Sequence, residues 1–306
     1  MVAYPPEEFD DVIAADRLSR RFGPKLALDA VSLRVPRGAV FGLVGANGAG
    51  KTTLIKHLLG LLRAEQGAVR VFGRNPVADP VGVLSRVGYL AEDTDLPGWM
   101  TVGELMRYTA AFFPGWDWDY AEKLRKDFEL DPGAKVKHLS RGQRSRAGLL
   151  AACAYRPELL VLDEPSSGLD PIVRRDILGA VIRTVADEGR TVLFSSHLLD
   201  EVERVSDSVA LLIRGRLAYG GPLDDLKAGH HRLTVRFAEG RSRPPALAGA
   251  LVWEGAGQEW TAVCQGRLGE LQAAAEAAGG RVVERGMPSL DEIFVARAGA
   301  AGGSQP

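Results

Sequence analysis

The chain has 306 residues, enough to bury a substantial core and to hold more than one domain, and it is 46% hydrophobic and 25% charged with a net charge of −1. That balance is globular and excludes a generally basic nucleic-acid binder, though not a local patch. No run of about 18 uninterrupted apolar residues is present to span a bilayer, and the acidic, proline-bearing start MVAYPPEEFDD is wrong for a secretory signal, so a cytoplasmic protein is expected.

From about Val12 to Gly221, short β-rich runs alternate with helical stretches. Strands are expected at VSLRV (31–35), AVFGLV (39–44), AVRVF (68–72), LLVLD (159–163), TVLFS (191–195) and VALLI (209–213), with helices at 51–62, 171–188 and 197–205. The runs at 39–44, 159–163 and 191–195 are almost wholly apolar, as strands covered on both faces must be. The class expected is α/β with a largely parallel central sheet. Between Glu92 and Pro157 no strand interrupts three helical patterns, at about 101–113, 119–129 and 141–155, so residues 93–157 read as a helical insert. The turn signal Gly220-Gly221-Pro222 ends this domain, placed at 12–221. A small α+β domain is expected over 222–298: strands at 233–237, 250–254, 259–264 and 281–284, helices at 268–279 and 289–297, then a loose tail, 299–306. Cys153 and Cys264 are too few and too far apart for a disulfide framework or zinc cluster and read as inert thiols. His230 and His231 are adjacent, so their side chains point different ways, and they are expected in a surface loop.

The strongest local signal is GANGAGKTT, residues 45–53. It follows an apolar strand, precedes an amphipathic helix, and fits the phosphate-loop pattern from Gly45 to Thr52. Glycines at 45, 48 and 50, with Ala46, Asn47, Ala49 and Thr53 completing the stretch, let backbone N–H groups turn inward around phosphate oxygens at the positive end of a helix. Lys51 supplies a mobile cation for the β- and γ-phosphates, and the Thr52 hydroxyl is a ligand for Mg²⁺. In LLVLDEP (159–165), an apolar strand delivers Asp163 and Glu164 to the carboxyl edge of the sheet, where doubly wound folds bind ligands. Asp163 suits Mg²⁺, and Glu164 suits the water that attacks the γ-phosphate. His197 follows a third buried strand, and two readings stand for it: a structural imidazole, or one that reaches the γ-phosphate or orients the water. LSRGQ (139–143) opens a helix with Ser140 as N-cap and Gln143 as its capping-box partner, yet places Gly142 in the first turn, where bare N–H groups face outward.

In this order, GANGAGKT, LSRGQ, LLVLDEP, SGLD (167–170) and SSH (195–197) resemble the ATP-binding subunit of ABC transporters over about residues 12–221. The resemblance implies a P-loop NTPase of ABC type using ATP and Mg²⁺. Two copies would sandwich two nucleotides, the Ser140, Gly142 and Gln143 helix start of one chain meeting the γ-phosphate held by the other. It also implies that Phe22 stacks on adenine and that Asp170 lies in the loop linking the two sites. The family's glycine is replaced by Arg141, at its most tolerant signature position. Glu92 stands where the family usually has Gln, and its carboxylate would still reach Mg²⁺ or water. The insert segment 112–130 and the ending SLDEIF (289–294) are similar to bacterial exporter ATPases of the drug, antibiotic and polysaccharide group, which carry a small accessory domain. The Trp-rich stretch around Trp99 and Trp116 fills the insert's core or lines a groove for a membrane partner. The function implied is ATP hydrolysis in a dimer, a homodimer by expectation. It powers a separate integral membrane permease from the cytoplasmic face, with no nucleic acid involved. The alternative is a soluble ABC-type ATPase acting on ribosomes or nucleic acid, which usually shows two ATPase modules or long coiled coils; neither is present.

Overall fold

The computed structural model describes residues 11–92, 95–165, 182 and 188–302. The helix expected at 171–188 and the SGLD stretch with Asp170 lie outside the described residues, apart from isolated positions in the former. The chain divides into two compact units, Met1–Gly220 and Gly221–Pro306.

The first unit holds two sheets. β1 (Asp11–Phe22), β2 (Lys25–Pro36) and β4 (Gln66–Val71) form an antiparallel sheet in the order β2-β1-β4. β3 (Val40–Val44), β5 (Val87–Leu90), β6 (Leu159–Asp163), β7 (Thr191–Ser196), β8 (Ser208–Ile213) and β9 (Arg216–Pro222) form the other, in the order β5-β6-β7-β3-β8-β9. From β5 to β8 every pairing is parallel. β3, β6, β7 and β8 are buried along their whole length, which is what their continuous apolar runs require. β9 follows β8 after Arg214 and Gly215, both at positive φ (50° and 80°), so the two-residue turn makes that last pair a hairpin. β9 also runs through Gly220-Gly221-Pro222, so the expected turn there is the end of a strand.

The helix α1 (Lys51–Leu58) shares one core with both sheets: Leu54, Ile55 and Leu58 join Ile13, Leu28 and Val35 of the antiparallel sheet and Leu43, Val161 and Leu193 of the parallel one. It stops short of the expected residue 62. Gly60, at φ 72°, donates to the His57 carbonyl, and Leu61 donates to that of Lys56, a left-handed cap that closes the helix. The short α2 (Pro80–Leu84), capped by Asp79, precedes β5. The insert carries α3 (Val102–Ala110), α4 (Trp118–Asp127) and α5 (Arg141–Cys153), each begun by a side-chain cap, from Thr101, Asp117 and Ser140 respectively. α6 (Leu199–Val205) follows β7.

The second unit opens with α7 (Leu223–Ala228) and is built on a sheet ordered β11-β10-β12: β10 (His230–Arg241), β11 (Ala250–Gln265) and β12 (Gly280–Gly286). β11 covers both strands expected at 250–254 and 259–264. Gln265 N–H donates to the Gly249 carbonyl at 2.7 Å and Gly255 abuts the Glu259 carbonyl, so the run doubles back through Gly255 and Gly257 at φ 130° and 65°. Leu233, Val235, Phe237, Trp260 and Ala262 meet Leu271 and Ala275 of α8 (Leu268–Ala277) in its core. Two expectations are corrected here. His230 is a buried strand residue rather than part of a surface loop, its Nδ1 bonded to the Leu226 carbonyl (2.7 Å) and its Nε2 to Arg297 Nε (3.2 Å). The last helix, α9 (Leu290–Gly302), takes in residues 299–302 of the expected tail, because Ala298, Ala300 and Ala301 favour helix enough to carry it on.

Candidate functional site

Parallel strands bring all their carboxyl ends to one edge of a sheet, and β3, β6 and β7 are consecutive neighbours here. The loop after β3, the acids that end β6 and the residues that end β7 therefore meet.

The loop runs from Gly45 to Gly50 and hands directly to α1. Gly45 and Gly50 tolerate no side chain: a Cβ at either would lie 2.6 Å from a carbonyl oxygen, that of Leu212 or of Ala27, and Gly50 sits at φ 111°. Ala46, Asn47 and Gly48 form the exposed crest, while Thr52 and Thr53 are partly buried in the first turn of the helix. Unlike α3, α4 and α5, α1 has no side-chain cap, and like α5 it has no acid in its first turn. Its leading N–H groups and its positive end are left for an anion from outside the chain, the condition a polyphosphate satisfies.

Lys51 is buried and its ammonium is held within the chain, 2.6 Å from the Gly45 carbonyl and 2.9 Å from Glu164 Oε1. By distance the second contact is an ion pair, but its angles fall outside hydrogen-bond geometry, and Glu164 Oε1 has no aligned donor. The pair holds without that alignment, since a charge pair needs proximity more than direction. The other oxygen, Glu164 Oε2, lies 2.7 Å from His197 Nδ1. Glu164 itself is held in the left-handed region at φ 48°, unusual for a residue with a side chain, and its N–H donates to Ser195 Oγ at 2.9 Å. The Ser195 hydroxyl in turn donates to Asp163 Oδ1 at 2.6 Å. Asp163 and Ser195 are cross-strand neighbours, and both are almost wholly buried. One hydroxyl thus fixes the side chain of the first acid and the backbone of the second.

The residues expected at the site separate into two groups. Lys51, Glu164 and His197 are linked directly, and Asp163 joins them through the Ser195 hydroxyl. Phe22 is exposed at the end of β1 with the Arg20 guanidinium 4.9 Å from its ring centroid. Glu92 is exposed two residues beyond β5. Ser140 and Gln143 bond each other in a reciprocal capping box, 3.2 Å and 3.0 Å, at the exposed tip of α5 with Gly142 half-buried between them. Asp170 lies outside the described residues.

Two residues were not expected here. Ser195 was visible only as part of SSH; its role follows from the register of β6 against β7, which no local pattern carries. Tyr89, on β5, is pushed up to about 12 by burial and, secondarily, by the Asp163 carboxylate, so it stays a neutral phenol beside the acids.

Among the described residues no group of three His, Cys, Asp or Glu side chains forms a metal cage. A buried carboxylate (Asp163) and a threonine hydroxyl (Thr52) are the donor types that suit Mg²⁺, which takes one or two protein ligands and completes its shell with phosphate oxygens and water.

Residues 28–167 match the ABC transporter family. The chain is 36% identical over 250 residues to the daunorubicin resistance ATP-binding protein DrrA3 of Streptomyces coeruleorubidus, covering 78% of each chain. It is 32% identical to the bacitracin transport ATP-binding protein BcrA of Enterococcus faecalis over 73% of each. A solved structure described as the ATP binding subunit of an ABC transporter superposes with a TM-score of 0.65 at 30% identity, over 71% of this chain and 92% of that one. The phosphate loop, the paired acids and the likeness to these proteins agree: the chain belongs to the ABC transporter ATP-binding family, as an ATP-hydrolysing subunit.

Proposed function

We propose that Glu164 is the general base of this ATPase and that the site is completed by a second copy of the chain. The observation that carries the reading is the continuous line Lys51–Glu164–His197 beside an uncapped helix start. Polyphosphate at the loop gives Lys51 a stronger partner than Glu164, whose Oε1 is then released to take the proton of the attacking water. His197, bonded to Oε2, keeps the carboxylate pointed toward that water. Thr52 and Asp163 would hold Mg²⁺; Glu92, which follows the strand paired with β6, would reach it or the water, and the ion would supply charge neutralisation for the phosphates. Phe22 would stack on the adenine, and Asp170 would lie in the loop joining the two sites.

The trans half of the site is the tip of α5. The Ser140 and Gln143 side chains bond each other's backbone N–H groups and are exposed, with Gly142 half-buried between them, which supports their use by a partner's nucleotide. Closure on ATP and reopening after hydrolysis would then drive a separate membrane permease from the cytoplasmic face of the membrane. No helix among the described residues is long and apolar enough to cross a membrane, in keeping with a pore supplied by another chain. Relatives named for daunorubicin resistance and bacitracin transport support export of antibiotic-like compounds.

Cells carrying the chain with its permease test this directly. Accumulation of a fluorescent anthracycline should fall with the wild type and be restored by Glu164→Gln. Equal accumulation in both, alongside recovery of the tagged chain with ribosomes rather than membranes, would overturn the transport reading in favour of the soluble alternative.

A further inference from the structure

The hairpin between β1 and β2 turns through Gly23 and Pro24, with Phe22 and Lys25 paired across it. Three cations crowd this tip, and two are committed. Arg20 pairs with Glu65 (3.3 Å) and donates to the Arg63 carbonyl (3.3 Å). The Arg21 side chain donates to the Pro24 carbonyl (3.0 Å), which fixes the turn just ahead of Lys25. For Lys25, no carboxylate lies within ion-pair distance of the ammonium among the described residues, and the side chain is exposed. It does not drift into open solvent, however. Its Nζ lies 3.7 Å from the position a Cβ would take on Gly48, at the exposed crest of the phosphate loop, and apart from Gly48 and its chain neighbours no other heavy atom among the described residues comes within 4 Å of that point.

An unpaired ammonium beside a loop that collects anions has a ready use. Lys51 reaches the loop from below, clasped by carbonyls and by Glu164, whereas Lys25 stands over the opposite, solvent side of it. We propose that Lys25 is a second phosphate-binding cation of the nucleotide site, closing over the polyphosphate from the hairpin that also carries Phe22. This rests on the reading that nucleotide phosphates lie along residues 45–52. The hairpin then holds both ends of the ligand, base at Phe22 and charge at Lys25, and the interaction scales with phosphate charge.

The test measures ATP, ADP and AMP affinity of the full chain by calorimetry, and steady-state ATPase, for wild type, Lys25→Met, Lys25→Arg and Lys51→Ala. An exposed charge contact of this kind is worth about two- to fivefold. Lys25→Met should therefore weaken ATP by about that factor, ADP less and AMP least. KM should rise in step while kcat stays within about twofold, and the dependence of ATP affinity on salt should become shallower. Lys25→Arg should restore most of the affinity, and thermal midpoints should be unchanged. If Lys51→Ala abolishes ATP binding while Lys25→Met leaves affinity and salt dependence as in wild type, the assignment of Lys25 is wrong and the site reading stands. If Lys51→Ala also leaves ATP affinity intact, the phosphates do not lie along this loop and both fail. An equal loss for ATP and AMP would also refute the assignment, since it would mean that Lys25 acts on the hairpin's shape rather than on phosphate charge.

Discussion

Ser195→Ala removes one oxygen from the centre of the site and nothing else. In the wild type that oxygen accepts from Glu164 N–H at 2.9 Å and donates to Asp163 Oδ1 at 2.6 Å, with the serine 0% exposed. Alanine orphans a buried backbone N–H, which costs about 1–3 kcal/mol, and deprives a buried carboxylate of a charge-assisted bond. Together these predict a loss of about 2–4 kcal/mol. For a unit of this size the loss corresponds to a fall in midpoint of roughly 5–15 °C. Activity should fall further than stability alone requires. Glu164 holds a left-handed backbone (φ 48°) that its bond to Ser195 helps to keep, and a shift of about 1 Å in a catalytic carboxylate costs about 10²-fold in rate. Differential scanning fluorimetry and a phosphate-release assay at saturating ATP, well below the variant's midpoint, separate the two effects. A variant that melts and turns over like wild type would show that the hydroxyl does not organise the acids.

Gly50→Ala should destabilise the first unit by about 1–3 kcal/mol and abolish ATP binding, because its Cβ meets the Ala27 carbonyl at 2.6 Å from a φ of 111°; melting and calorimetry check it. Burial holds the His230 imidazole below its ordinary value of 6.5, with the Arg297 charge adding and the Leu226 carbonyl opposing. The unfolded chain then binds a proton that the folded chain refuses. The stability of the second unit should therefore be complete above about pH 6.5 and fall below it, by up to about 1.4 kcal/mol at pH 5.5. Denaturant titrations at pH 7.5 and 5.5 should show this slope in wild type and lose it in His230→Gln. Burial pushes the Cys153 thiol up to about 12 and that of Cys264 up to about 11. A thiol reagent at pH 8 should accordingly label neither cysteine in the folded chain and both in denaturant.

What could be read without coordinates was what is written locally. Buried parallel strands are continuous apolar runs, so β3, β6 and β7 were visible at once, and the phosphate loop is a contiguous pattern whose chemistry follows from its glycines and its lysine. β1 was not legible: register shifts break its pairing with β2 between Asp11 and Ile13 and from Ala15 to Arg21, and Arg17 adopts a positive φ of 45°, so the alternation that marks a strand is lost. The overrun of α1 has a similar cause, since the apolar Leu61 and Leu62 continue the helical pattern past a glycine cap. Ser195 and Lys25 were hidden for a different reason. Each acts through a neighbour distant in sequence, Asp163 in one case and Gly48 in the other, and which residues face each other is decided by sheet register and hairpin placement. His230 was misread as exposed because its partner Arg297 lies 67 residues away. The α5 tip was ambiguous in the sequence and keeps both aspects: its capping box forms, and the same residues face outward.

The central claim, that each nucleotide is clamped between two copies, has a direct test in mixing two inactive chains. Glu164→Gln lacks the base but keeps its α5 tip; Ser140→Arg keeps the base but spoils the tip. Random pairing makes half of the dimers mixed, and each mixed dimer holds one intact site, so an equimolar mixture should recover about a quarter of wild-type ATPase. A mixture no more active than its components would contradict the shared site.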